Sequence, residues 1–171
     1  MVAWLDAHPS AKLVFQPGTF QLKLGYERLK ELYARTHLFV CNKEEAQRIL
    51  KTKEGDIKKL LEKLHAKGPK IVSISDGPNG AYIFDGTTAM YVPMYPDIAP
   101  PKERTGCGDA YTSTLMSYIA KGLSLKDAFL RAPINSMSVV QHIGAQKGLL
   151  SEQKLEEYLK QAPEGYDVSV L

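Results

Sequence analysis

Apolar positions along the chain switch repeatedly between a helical and an extended period, and each stretch predicts an element. Lys12-Leu13-Val14-Phe15 is a short apolar run closed by Pro17-Gly18, the pattern of a buried strand. Tyr26, Leu29, Leu32 and Tyr33 share one face of a helix running to Arg35. Leu38-Phe39-Val40-Cys41 is a second buried strand, so the opening unit is strand, helix, strand. A helix follows from Lys43 to Leu50, then another in which Ile57, Leu60, Leu61 and Leu64 form the apolar face and Gly68-Pro69 the stop. Ile71 to Ser75 is a third buried strand. Ala81 to Phe84 and Ala89 to Val92 flank Asp85-Gly86 and predict a hairpin. Pro93, Pro96, Pro100 and Pro101 mark an irregular crossing. Beyond it, Tyr111, Leu115, Tyr118 and Ile119 predict a helix between Gly106 and Gly122. Ser124 with Asp127 opens a further helix as a capping box, and Pro133 inside it predicts a kink or break. A last amphipathic helix spans Ser151 to Gln161.

Such alternation in 171 residues, 44% of them hydrophobic, predicts one globular α/β domain over residues 1–171 with a packed core. The 22 Lys+Arg against 19 Asp+Glu leave a net charge of +3, which makes no case for nucleic acid. Cys41 and Cys107 are far apart and belong to no Cys-x-x-Cys, so neither a disulfide scaffold nor a zinc module is indicated. The expectation is a soluble, cytoplasmic protein in a reducing setting. No apolar run approaches the ~20 residues of a membrane helix, and the amino terminus lacks a signal-peptide profile. The four histidines show no ligand spacing.

Chemistry concentrates at Thr105-Gly106-Cys107-Gly108-Asp109-Ala110, where the proline-rich crossing meets a helix. A helix N-terminus offers unpaired N–H groups and partial positive charge, and two glycines let a phosphate approach closely. Asp109, in the first turn, would stand beside such a phosphate and could take a proton from an attacking hydroxyl. The alternative is a helix capped by Thr105, with Asp109 serving only the dipole. A dinucleotide fold lacks its third glycine and its strand here, and a Walker loop lacks its Gly-Lys-Ser/Thr. Cys107 reads as a small filler side chain.

The stretch Glu103-Arg104-Thr105-Gly106-Cys107-Gly108-Asp109-Ala110-Tyr111 resembles the second signature of the ribokinase-like (PfkB) carbohydrate kinases. Three further motifs match in the family's order. Asn42-Lys43-Glu44-Glu45 is similar to its Asn-x-x-Glu, Ser75-Asp76-Gly77-Pro78-Asn79-Gly80 to its Thr-x-Gly-x-x-Gly turn, and Asn135 through Gly144-Ala145-Gln146 to its nucleotide-side helix.

The resemblance implies a three-layer α/β/α sandwich with a mostly parallel central sheet and an antiparallel hairpin. It also implies phosphoryl transfer from ATP to a hydroxymethyl group of a sugar or nucleoside. In that scheme Asp109 is the general base and the Gly106, Cys107 and Gly108 amides form the anion hole. Asn42 and Glu45 organise phosphate and magnesium, Glu45 acting mainly through water. Ser75, Gly77 and Gly80 shape the turn along the nucleotide, Asn135 touches the adenine, and Gly144 walls its pocket. An Asn N-cap with Glu at N3 is also a capping box, so a purely structural role for Asn42 and Glu45 stays open. Glu103 stands where the family has Asp, which leaves a monovalent cation (K+) open, and Arg104 stands where it has a small polar residue. Members of the family run to about twice this length, so the resemblance covers the carboxy-terminal portion. The amino-terminal strands, the lid and the residues that read the acceptor have no counterpart here. An apolar sheet edge would then be uncovered, predicting a homodimer or pairing with the missing amino-terminal part. A catalytically silent nucleotide-binding or interaction module derived from such a kinase is the rival reading.

Overall fold

The computed structural model describes residues 1–171 and resolves into two compact units. One comprises Met1–Gly77, Tyr82–Tyr91 and Val170–Leu171, and the other Pro78–Ala81 and Val92–Ser169.

In the first unit the chain runs α1 (Val2–Ala7), β1 (Leu13–Phe15), α2 (Thr19–Leu24), α3 (Tyr26–Arg35), β2 (Thr36–Asn42), α4 (Lys43–Leu50), α5 (Ile57–His65) and β3 (Ile71–Ser75). The hairpin strands β4 (Ala81–Phe84) and β5 (Ala89–Val92) follow, and a short β6 (Ser169–Val170) ends the sheet. The six strands lie in the order β1-β2-β3-β4-β5-β6. β1, β2 and β3 pair in parallel, with Leu38 opposite Ile71 and Asn42 opposite Ser75. β2 is buried continuously from Leu38 to Cys41, as a central parallel strand covered on both faces must be. The five residues 76–80 that join β3 to its neighbour β4 are too few for a parallel crossover, so the sheet turns antiparallel there. The hairpin turn is held by Asp85, whose Oδ1 accepts from the N–H groups of Thr87 at 2.9 Å and Thr88 at 2.7 Å.

The core of this unit forms because α5 presents Leu60, Leu61 and Leu64 on one face, all fully buried, to a cluster with Phe15, Tyr33, Phe39, Val72 and Ile74. Asp56 caps α5 by accepting from the N–H groups of Lys58 and Lys59. Tyr33 meets Phe15 edge-on at 5.4 Å between ring centroids. The register of β2 on β3 follows from this burial, and it sets the two strand ends beside each other.

The second unit contains α6 (Cys107–Ala120), α7 (Leu125–Val140) and α8 (Glu152–Lys160). Of the kink or break expected at Pro133, a break does not occur: α7 is continuous, with Pro133 buried between Ala132 and Ile134. Proline in a helix interior costs about 3 kcal/mol through one lost hydrogen bond and a steric clash, and packing along α6 and α8 outweighs a local penalty of that size. α8 is fastened by Arg131, which donates to both carboxylate oxygens of Glu156 at 2.6 and 3.0 Å. That guanidinium holds the Glu156 carboxyl below its usual range. No helix is long and apolar enough to cross a membrane.

Candidate functional site

Two groups of side chains carry the candidate chemistry, one in each unit. In the second unit, residues 93–104 form no helix or strand, yet the end of this stretch is tied down. Gln141 Nε2 donates to the Ala99 carbonyl at 2.9 Å, and the N–H groups of Lys102 and Glu103 both donate to the Val140 carbonyl, at 2.8 and 3.3 Å. The chain then enters α6 through Gly106, which occupies the cap position in the left-handed region (φ +84).

No side chain caps α6. Thr105 is not the cap: Gly106 holds that position, and the Thr105 hydroxyl donates to Glu103 Oε1 at 2.6 Å. A threonine at the cap position would need extended backbone, and the left-handed turn at Gly106 takes that position instead. The cap residue itself therefore offers the first-turn amides no side-chain acceptor, and Asp109 is the carboxylate of that turn. Gly108 and Asp109 are exposed there, and Ala110 N–H is the first amide in a good helical bond, to Gly106 O at 2.8 Å. Cys107 N–H makes only a long contact with the Arg104 carbonyl, at 3.4 Å, while the Cys107 carbonyl accepts from Ser136 Oγ at 2.8 Å. Cys107 is a half-buried free thiol, consistent with a small filler.

Gly106 also abuts residue 145 so closely that an added Cβ would lie 2.6 Å from the Ala145 Cα and carbonyl oxygen. Beside it, Gly144 (φ +94) donates its N–H to Glu103 Oε2 at 2.8 Å. The Thr105 hydroxyl first, and then the Gly144 amide, hold the Glu103 carboxyl below its usual range. Asn135 has an internal task. It is only 7% exposed, its Nδ2 donates to Thr114 Oγ1 at 2.8 Å, and its Oδ1 accepts from Leu150 N–H at 3.0 Å. Both ends of the carboxamide are therefore engaged in tying α6, α7 and residue 150 together.

In the first unit, Asn42 ends β2 and caps α4. Its Oδ1 accepts from Glu45 N–H at 2.8 Å, and its own N–H donates to Glu45 Oε2 at 2.9 Å, a complete capping box. Ser75 pairs with Asn42 across the parallel ladder, and the chain then turns through a 3-10 segment, Gly77–Asn79. Gly77 (φ +54), the last residue of this stretch of the first unit, and Gly80 (φ +85), which belongs to the second, supply the left-handed residues of that turn. Sequence reasoning missed the ion pair that braces it: Lys43 Nζ meets Asp76 Oδ2 at 3.1 Å, both side chains being less than a third exposed. The signal for it was the strand register, since residues following a paired 42 and 75 stand side by side.

Asn42→Ala is expected to cost ~1 kcal/mol of stability through the lost cap. Asn42→Asp preserves the cap and should stay near native stability by thermal denaturation. Weaker binding of magnesium-ATP in Asn42→Asp than in the native chain would then report a role beyond capping.

Chemically, the α6 N-terminus can hold an anion and offer it a carboxylate neighbour, whereas the β2/β3 ends present Asn and Glu groups suited to a hydrated cation. No group of three or more His, Cys, Asp or Glu side chains is placed to hold a metal ion alone.

Comparison with known proteins shows the family and the fold. The model of the pfkB family carbohydrate kinases matches residues 8–152. An ATP-dependent 6-phosphofructokinase of Thermoanaerobacterium thermosaccharolyticum is 28% identical over 123 residues, covering 71% of this chain and 36% of that protein. A nucleoside kinase of Methanocaldococcus jannaschii is 25% identical over 146 residues, covering 85% of this chain and 46% of that one. The structure of Arabidopsis thaliana ribokinase complexed with ribose and ATP superposes with a TM-score of 0.76 at 21% identity, covering 88% of this chain and 48% of that one, which shows the ribokinase-like fold. The chain thus spans less than half the length of these relatives.

Proposed function

This chain belongs to the pfkB family of carbohydrate kinases, and from that membership we propose that it carries the ATP-side machinery for phosphorylating a hydroxymethyl group of a sugar or nucleoside. The observation that carries the reading is the first turn of α6: led by a left-handed glycine with no side-chain cap, exposed at Gly108 and Asp109, and carrying Asp109 within it. In this reading the Gly106, Cys107 and Gly108 amides accept the charge of the transferring phosphoryl group. Asp109 takes the proton of the acceptor hydroxyl as its oxygen attacks phosphorus and the bond to the leaving ADP breaks. Ser75, Gly77 and Gly80 shape a turn along the nucleotide, and Gly144 contributes backbone to the adenine pocket.

Magnesium fits the residues present. This ion keeps most of its water and needs only one or two carboxylates besides substrate phosphates. Glu45 spends one oxygen on the capping box, and Oε1 lies outside it. Asn42 and Glu45 would hold the ion through water, and it would supply charge neutralisation on the phosphates. A cytoplasmic setting suits the two free thiols.

A coupled assay of ATP consumption across fructose, ribose, fructose phosphates, adenosine and other nucleosides tests the function. The 171 residues alone are expected to show at most slow ATP hydrolysis, well below the ~1–100 per second usual for kinases, because acceptor positioning supplies much of the catalysis. A form of the protein that includes an acceptor site is expected to phosphorylate one of these classes. ATP binding without transfer to any acceptor in such a form would favour the silent module instead.

A further inference from the structure

We propose that Glu103 is a positioning residue that latches the α6 anion cradle to residues 142–147, a role that rests on the proposed binding of nucleotide phosphate at that cradle.

Gly106 is the point at which the cradle meets that segment. An added Cβ there would meet Ala145 Cα, Cβ and O, each at 2.6 Å, so the main chain of the cradle's first residue is packed directly against residue 145. Any movement of residues 142–147 is transmitted to the cradle peptide. Those six residues form no helix or strand, so a few individual bonds must hold them. One joins His142 Nδ1 to the Ser138 carbonyl at 3.1 Å, at the near end of the segment. The bond beside Ala145 itself is Gly144 N–H to Glu103 Oε2, at 2.8 Å.

Glu103 is built as a hub. Its second oxygen accepts from the hydroxyl of Thr105, the residue that leads into Gly106, at 2.6 Å. Its own N–H is anchored on the Val140 carbonyl at the end of α7, at 3.3 Å. One residue thereby joins the approach to the cradle and residue 144 through its side chain, and the end of α7 through its backbone N–H. Glu103 also costs something where it stands. A carboxylate three residues ahead of an anion-binding turn repels the anion, so a group that acted only through its charge would weaken phosphate binding. The latch and the charge predict opposite signs on neutralisation, and that makes the role measurable.

The test uses the native 171-residue chain with Glu103→Ala, Glu103→Gln and Glu103→Asp. Amide hydrogen exchange of Gly144 and of residues 106–109 is followed without ligand, and calorimetric titrations use ATP and adenosine. The latch predicts faster exchange of the Gly144 amide in Glu103→Ala. It predicts ATP affinity lower by about tenfold, with adenosine affinity within about twofold of native. Glu103→Gln, which keeps one acceptor oxygen, should fall between Ala and native, and Glu103→Asp, which keeps two, should recover most of the affinity. Tighter ATP binding by Glu103→Gln would overturn the proposal, as would equal losses for ATP and adenosine in Glu103→Ala. If the native chain binds no ATP, the functional reading fails, and unchanged Gly144 exchange in Glu103→Ala would separately overturn the latch.

Discussion

Replacing Asp109 by Asn is expected to lower phosphoryl transfer by ~10²–10⁴ in any form of the protein that phosphorylates a sugar or nucleoside, while ATP affinity is kept or slightly raised. The change is isosteric, so the first turn of α6 keeps its geometry and its amides. The lost property is the capacity to accept the hydroxyl proton. A second effect runs the other way: a carboxylate in the first turn favours the helix dipole, so its neutralisation costs stability by about 0.3–1 kcal/mol. The same neutralisation removes a like charge from beside the bound phosphate. Steady-state kinetics with an independent ATP titration separates these effects. A fall in kcat with unchanged or tighter binding marks Asp109 as the base. Near-normal turnover with slightly reduced stability would leave it only the dipole role.

Gly106→Ala is expected to produce the largest loss of nucleotide binding among the glycine variants, at least tenfold. Two costs coincide at this position. The backbone is left-handed at φ +84, and the new Cβ would sit 2.6 Å from main-chain atoms of Ala145. A non-glycine residue in a sparsely populated backbone region costs ~1–3 kcal/mol, and a clash with backbone, unlike one with a flexible side chain, is relieved only by moving the chain. The movement falls on the cradle. Gly122→Ala is the control, since Gly122 is also left-handed (φ +88) but an added Cβ meets nothing within 4 Å. It should show the conformational cost alone, with a smaller loss of stability by denaturant titration. Equal effects of the two variants on ATP affinity would show that the packing of Gly106 on Ala145 is unimportant to binding.

The parts of this structure legible in the sequence are those in which local pattern and tertiary burial agree. α3 (Tyr26–Arg35) and α4 (Lys43–Leu50) occupy the residues that periodicity and capping indicate, and the apolar runs of β2 and β3 lie in the sheet core. α1 and α2 were not legible. Each has six residues and no capping side chain, too short for a periodic signal. α1 is held from a distance, by Arg35 pairing with Asp6 at 2.9 Å and donating to the Leu5 carbonyl. β6 has two exposed residues, and the adjoining Leu171 N–H reaches the Ala89 carbonyl at 2.9 Å, a partner that no local pattern announces. Pro133 shows the opposite case, a local helix-breaking signal that does not end the buried helix α7.

The candidate site divides in the same way. Asp109, the cradle glycines and the Asn42–Glu45 box could be read from motif spacing, because each depends on neighbours within a few residues. The engagement of Asn135 with Thr114 and Leu150 could not, since it arises from the packing of α6 on α7. The Glu103 bond to Gly144 spans 41 positions of sequence and likewise follows from where the chain returns.

The central claim is that the first turn of α6 receives the phosphates of ATP. Titrating magnesium-ATP into the folded chain, while the backbone amide resonances of Gly106, Cys107 and Gly108 are followed, tests it most directly. The account predicts saturable shifts of these amides at millimolar or lower nucleotide, much reduced when adenosine replaces ATP. Unmoved resonances throughout that range, in a chain that retains its folded spectrum, would contradict it.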